Sequence, residues 1–195
     1  MSYSVLVTGG TRGIGKAIAH RLVADGATKA VLGYMRNDEA AEAAAEELRA
    51  TGAEVVLVRG NVAEEKTIAE LASHGPYRVV VSNAATGVVR PAMETEDKHW
   101  DWTLNANARS LLALARACAP TMEEGGAIVA ISSLGSQRVL PNYVLIGVSK
   151  AALETCVKYL GVELAPRIRV NAVSGGVVDT EALDWFPNKE QMLKT

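Results

Sequence analysis

Thr8-Gly9-Gly10-Thr11-Arg12-Gly13-Ile14-Gly15 follows a short β-branched run, Ser4–Val7, and leads directly into a helical pattern over Ile14–Ala24. A chain that binds a pyrophosphate here must turn sharply and let its backbone approach the phosphates. It must also aim helix N-terminal N–H groups, and the positive end of the helix dipole, at the charge. Glycines at 9, 13 and 15 meet those demands by omitting side chains and allowing positive φ. Many turns contain glycine, so the stretch gains its meaning from its position between a first strand and a first helix.

The rest of the chain supplies that context. Strand-like runs at Ser4–Val7, Lys29–Gly33, Glu54–Val58, Arg78–Ser82, Ala127–Ser132 and Arg169–Ala172 alternate with helical patterns. The helical patterns are Ile14–Ala24, Asp38–Ala50, Glu64–Ser73, a long Lys98–Met122 and Asn142–Glu163. Strict alternation implies βαβ units and an α/β fold, a doubly wound parallel sheet of the Rossmann type. With 195 residues, no internal repeat and no Pro/Gly/Ser-rich linker, residues 1–195 read as a single dinucleotide-binding catalytic domain. Leu104–Ala119 is apolar nearly all round, which predicts cover on two sides. One side would be the sheet, and the other a second subunit or more of the same chain. The subunit reading makes a homo-oligomer, dimer or tetramer, the expectation.

Composition excludes several classes. Hydrophobic residues make up 49%, charged residues 22%, and the net charge is −2. No basic stripe interleaved with aromatics is present, which argues against a nucleic-acid partner. No apolar run approaches membrane-spanning length, and no charged leader precedes a hydrophobic run at the start. The two cysteines, Cys118 and Cys156, read as buried thiols in a reducing cytoplasm rather than as a disulfide or metal pair. His20, His74 and His99 lack metal-ligand spacing, so no metal is expected.

The second strand bears on the choice of dinucleotide. An NAD site usually ends that strand with a carboxylate on the ribose 2′-hydroxyl. Here it reads Gly33-Tyr34-Met35-Arg36. Arg36, with Arg12 in the loop, can neutralise a 2′-phosphate, so NADPH is favoured. Both arginines could instead be solvated surface charges, and Asp38 lies close by.

Taken in order, the Thr8–Gly15 motif, Ser82-Asn83-Ala84-Ala85, Asn107, Ser133, the Lys150 helix and Val170-Asn171-Ala172-Val173 resemble the signature set of the short-chain dehydrogenases/reductases. The segments 83–106 and 131–155 resemble more narrowly the bacterial type III enoyl-[acyl-carrier-protein] reductases of fatty-acid synthesis. The resemblance implies that Gly9, Thr11, Arg12, Gly13, Ile14 and Gly15 line the pyrophosphate and adenosine side. Asn61 and Val62 would stand where many members place an acidic residue on the adenine. Asn83 and Ala84 match the Asn-Ala-Gly stretch after the fourth strand, with Ala85 in place of glycine. Asn107 matches a helix asparagine that organises a water chain toward the lysine. Val178 and Thr180 match the segment holding the nicotinamide carboxamide, and Lys150 the residue anchoring the nicotinamide ribose.

One departure from the family pattern bears on the reaction. Most members carry a tyrosine four residues before the lysine, but Ile146 stands there and has no proton to give. Tyr143 lies seven residues before Lys150, on the same helical face and displaced from Ile146 by about 4.5 Å along the axis. Tyr-x6-Lys is the spacing found in enoyl reductases of this superfamily, and it suits conjugate reduction. Charge then builds on a thioester carbonyl oxygen, further from the hydride acceptor than a ketone oxygen would be. Tyr143 could instead be a packing residue, and Lys150 a solvated helix lysine. Ser133, ten residues before Tyr143, either touches substrate or caps the fifth strand. Trp100, Trp102 and Trp185 read as packing residues, with Trp185-Phe186 as an alternative acyl-pocket lining.

The resulting expectation is a cytoplasmic, NADPH-dependent enoyl-thioester reductase with Tyr143, Lys150, Ser133 and Asn107 at its centre. Its substrate would be carried by acyl-carrier protein or CoA. The alternatives are a reductase or cyclase of polyketide-like intermediates and a non-catalytic NADPH sensor. Family chains continue through a lid, another helix and a seventh strand, whereas this sequence stops at Thr195. The C-terminal lid and last strand are therefore expected to be absent, with an incomplete chain as the favoured reason.

Overall fold

The structure, a computed structural model, describes residues 2–180 and Leu183. Among them six strands form one parallel sheet in the order β3-β2-β1-β4-β5-β6. They are β1 (Ser4–Thr8), β2 (Lys29–Tyr34), β3 (Glu54–Arg59), β4 (Val79–Ser82), β5 (Gly126–Ser133) and β6 (Ile168–Gly175). The helices are α1 (Gly13–Ala24), α2 (Asp38–Arg49), α3 (Glu65–Ser73), α4 (Asp97–Leu104), α5 (Ser110–Cys118) and α6 (Val144–Glu163). The expected doubly wound α/β architecture is present.

Successive strand residues feed opposite faces, as the pleat requires. Leu6, Val31, Val80 and Ile128 pack with α3, α5 and α6. Their neighbours Val5, Val7, Ala30 and Leu32 pack with α1 and α2. The strand order reverses between β1 and β4, so the loops leaving these two strands diverge and open a crevice at their C-terminal ends. That crevice positions the site.

Two helices differ from expectation. Lys98–Met122 is not one helix, because a π-helical segment at Asn105–Arg109 separates α4 from α5. Its cause is tertiary: Asn107, fully buried, reaches both the loop after β4 and α6 with its side-chain amide. A widened turn accommodates such a reach, and such bulges gather at functional sites. The last helix begins at Val144, not Asn142. Asn142 takes left-handed φ 62°, which interrupts the helical run and leaves Tyr143 as the N-cap.

The α5 stretch buries Leu111, Leu114, Ala115 and Cys118, while Leu112 remains 40% exposed on its outer side. Cys118 and Cys156 are free thiols. Among the described residues no helix is long and apolar enough to cross a membrane. Trp185 and Phe186 lie outside the described residues.

Candidate active site

The crevice is built on backbone that tolerates no added side chain. Gly9 has φ +65°, and a Cβ on Gly15 would stand 2.1 Å from Gly9 O. Asn83 fixes the opposite wall by donating from Nδ2 to Thr8 O at 2.9 Å and to Gly9 O at 3.1 Å. Thr8 completes the joint. Its Oγ1 accepts from the N–H groups of Asn83 and Ala84 at 3.0 and 3.1 Å, and donates to Val81 O at 3.3 Å. Sequence reasoning quoted Thr8 without giving it a role, although a hydroxyl ending a buried strand was the signal.

The first turn of α1 contains no acidic residue, and Arg12 is its N-cap. The first turn thus offers an anion N–H groups and the positive end of a 12-residue helix, with no carboxylate of its own. Thr11 is buried within the loop, and Ile14 is half-buried at the start of the helix. Thr180 closes over the loop, its Cγ2 3.6 Å from where a Gly13 Cβ would be, while Val178 is 45% exposed. A cradle of this shape fits a dinucleotide pyrophosphate.

At the adenosine end, Gly10 N donates to Gly33 O at 3.2 Å, holding the loop beside the end of β2. Arg36, exposed just beyond that strand, belongs to the same rim. Asp38 is already engaged: it accepts from Tyr34 Oη at 2.9 Å and pairs with Arg59 at 3.1 Å. Asn61 turns its Oδ1 to Ala63 N at 3.0 Å in a local turn after β3, and Val62 packs against the core.

The reaction-centre candidates converge on the end of β5. Tyr143 Oη lies 3.3 Å from Ser133 Oγ. The ring presses on the turn Leu134–Ser136, where a Cβ on Gly135 would meet it at 2.6 Å. Burial raises the phenol above its ordinary pKa, and the Ser133 hydrogen bond opposes that shift. Two residues earlier on β5, Ile131 O accepts from Lys150 Nζ at 2.6 Å. Burial pushes the Lys150 ammonium down to about 8. An ammonium has three donors, so the lysine can serve two more acceptors.

Ile146, at the position between them, packs on the loop after β4, where a Cβ on Gly87 would stand 2.4 Å from its Cγ1. The wall there is aliphatic. Asn107 spends its side chain on scaffolding: Oδ1 accepts from Thr86 N, and Nδ2 donates to Thr86 O and to Ser149 Oγ, at 2.8, 2.8 and 2.9 Å. It ties the loop after β4 to the residue beside Lys150.

Sequence reasoning missed Glu154. Its Oε1 accepts from Ser132 Oγ at 2.5 Å and from Ser136 Oγ at 2.6 Å, on either side of Ser133. Burial works against its charge, but the hydrogen bonds from Ser132, Ser136 and Gln137, with Lys158 nearby, hold the carboxyl below its ordinary range. A carboxylate four residues after Lys150 in a largely apolar helix was the available signal. Among the described residues no group of three or more His, Cys, Asp or Glu side chains could hold a metal.

The family model described as Enoyl-(Acyl carrier protein) reductase matches residues 9–195. A crystal structure of a short-chain dehydrogenase from Burkholderia cenocepacia, in complex with NADP, superposes with a TM-score of 0.88 at 33% identity, over 94% of this chain and 76% of that one. The chain belongs to the short-chain dehydrogenase/reductase family. Other members similar to it include 1-cyclohexenylcarbonyl-CoA reductase of Streptomyces collinus, 35% identical over 96% of this chain and 69% of that protein. Tropinone reductase-like 3 of Erythroxylum coca is also 35% identical, over 96% of this chain and 74% of its own. Fold, crevice and family together make this short-chain dehydrogenase/reductase an oxidoreductase of the nucleotide-binding type.

Proposed function

We propose that the protein reduces the trans-2 double bond of an enoyl thioester, with NADPH as reductant. The observation that carries this reading is the placement of the hydroxyls. Tyr143 and Ser133 form a pair at the end of β5, whereas Ile146, four residues before Lys150, is aliphatic and packed on Gly87.

The cofactor's pyrophosphate would rest on the loop 9–15 and the start of α1, its 2′-phosphate near Arg12 and Arg36, and its ribose hydroxyls on Lys150. When bound, NADPH supplies a hydride to the β-carbon. Tyr143 then donates a hydrogen bond to the thioester carbonyl oxygen, where negative charge collects as the double bond is saturated. A fixed donor aimed at developing charge is worth more in a half-buried site than in water. Ser133 holds the phenol in line, and the Lys150 ammonium adds positive potential behind it. The α-carbon proton comes from Tyr143 or from water. The matching family model and the name of the Streptomyces relative, which describes a conjugated acyl-CoA, support this substrate class. The carrier would be acyl-carrier protein or CoA, and the setting fatty-acid synthesis in the cytoplasm. Assembly as a dimer or tetramer would cover the outer side of α5 at Leu112.

The test follows NADPH absorbance with a crotonyl thioester and, separately, an acetoacetyl thioester. Consumption of the crotonyl substrate is expected. Consumption of the keto substrate alone would refute the assignment and favour the second reading, carbonyl reduction of a secondary metabolite. That reading draws on the same hydroxyl pair, which can hold a ketone oxygen, and on the tropinone reductase-like relative. Tight NADPH binding with neither substrate consumed points to a sensor.

A further inference from the structure

We propose that Glu154 is the positioning residue for the Ser133–Tyr143 pair, acting through the two serines that flank Ser133. This rests on the reading of those hydroxyls as the reaction centre.

Ser133 stands at the point where β5 ends and the chain turns through Leu134–Ser136. The ladder to β4 ends at Ala130, so β6 alone pairs with the strand at Ser133, through Gly175, and leaves its other edge to be held by side chains. Glu154 provides this from a separate element. Its single oxygen Oε1 accepts from Ser132 Oγ on one side of Ser133 and from Ser136 Oγ on the other, at 2.5 and 2.6 Å. Gln137 Nε2 donates to Oε2 at 3.5 Å and extends the grip one residue further. Ser133 O lies 2.8 Å from Ser136 Oγ and shares with the carboxylate that hydroxyl's single proton, so Ser136 stands between Glu154 and the Ser133 backbone.

The turn has little room to settle otherwise. A Cβ on Gly147 would stand 2.7 Å from Gly135 O, so the turn sits directly on the backbone of α6. On its other side it meets the Tyr143 ring. Within it, Gly135 N donates to Ser133 Oγ at 3.3 Å, leaving that hydroxyl's proton for the phenol oxygen. Charge-assisted bonds to an ionised carboxylate are stronger than neutral ones, which suits them to holding such a junction in one geometry. Serine hydroxyls on neighbouring residues rotate freely without such an acceptor. With it, the turn, the end of β5 and the helix carrying Lys150 become one rigid unit.

Two independent arms test this. Hydrogen exchange, which needs no substrate, compares wild type with Glu154→Leu and Glu154→Gln. The expected result is faster exchange confined to peptides covering residues 131–143 in the Leu variant, and near wild-type exchange in the Gln variant, whose amide oxygen still accepts. Unchanged exchange there, or faster exchange spread over the whole chain, overturns the proposal. The second arm measures turnover of whichever thioester the wild type consumes. Glu154→Leu should lower kcat by about ten- to a hundredfold with NADPH affinity unchanged, the scale expected when a catalytic group is misplaced. Glu154→Gln should recover most of it. In a Ser133→Ala background, Glu154→Leu should cost little more, because its effect passes through Ser133. Additive losses overturn the proposal. A wild type that consumes no thioester defeats the proposed reaction but leaves the exchange arm to decide on Glu154.

Discussion

Tyr143 Oη meets Ser133 Oγ at 3.3 Å, while Lys150 reaches the same strand two residues earlier at Ile131 O. Phenol and ammonium are thus both referenced to the end of β5, at positions two residues apart. Tyr143→Phe is expected to lower kcat by about a hundred- to a thousandfold, the cost of losing one oxyanion donor. NADPH affinity, read by fluorescence titration, should stay within about twofold of wild type. Equal losses in turnover and cofactor affinity would assign Tyr143 to binding instead.

Lys150 gives a pH dependence whose sign is fixed by its environment. Burial lowers its folded pKa from 10.5 to about 8, so the folded state carries the cation at a cost below that pH. As pH climbs from about 8 toward 10.5 the folded protein sheds the proton while the unfolded chain keeps its own. Stability from this group therefore rises across that window. The melting temperature of cofactor-free wild type should gain on Lys150→Met between about pH 7 and about pH 10. A constant difference between the two would contradict the burial effect. Any function of the ammonium should show the opposite trend, with kcat/KM falling on the alkaline side near pH 8.

Cofactor preference should follow the arginines. Asp38, the first carboxylate after β2, is tied to Tyr34 and Arg59, while Arg36 stands exposed at the rim. Arg36→Ala and Arg12→Ala should each weaken NADPH by roughly ten- to a hundredfold, the worth of a charged hydrogen bond, and leave NADH nearly unchanged. Parallel titrations with both dinucleotides check this, and equal weakening of the two would place the arginines elsewhere.

Asn107 should matter to stability as much as to rate. Asn107→Ala strips Thr86 N–H of its acceptor and removes the amide's bond to Ser149, at an expected cost of about 1–3 kcal/mol in chemical denaturation. A variant as stable as wild type would mean that the π segment holds itself without that side chain.

The phosphate loop and the sheet could be read from the sequence because their signals are local. Gly9, Gly13 and Gly15 are required by backbone geometry within one turn, and the alternation of β-branched runs with helical patterns needs no knowledge of distant contacts. Tyr143 and Lys150 were legible through their spacing around Ile146. Asn107 was named, but its breaking of the long helix into α4 and α5 was not, because the partners that demand the break, Thr86 and Ser149, lie 21 and 42 residues away. Glu154 escaped for the same reason. Its partners Ser132 and Ser136 precede it by 22 and 18 residues, and nothing in a serine-rich strand end announces a carboxylate across the fold.

The π segment between α4 and α5 has a consequence for what this chain can lose. Deleting any one residue from Asn105–Arg109 would let the backbone return to regular α-helix with its ladder intact, so helicity would survive. Everything upstream would swing by about 100° about the axis. The buried methyl of Thr103 that faces the Gly87 loop would then point elsewhere, while α5 kept its hold on the sheet. One surplus residue thus sets the phase between α5, which packs on the sheet, and α4, which faces the loop after β4. An in-frame shortening there would leave α5 on the sheet but undo the contacts of α4 with the loop after β4, at a cost in stability as well as in alignment.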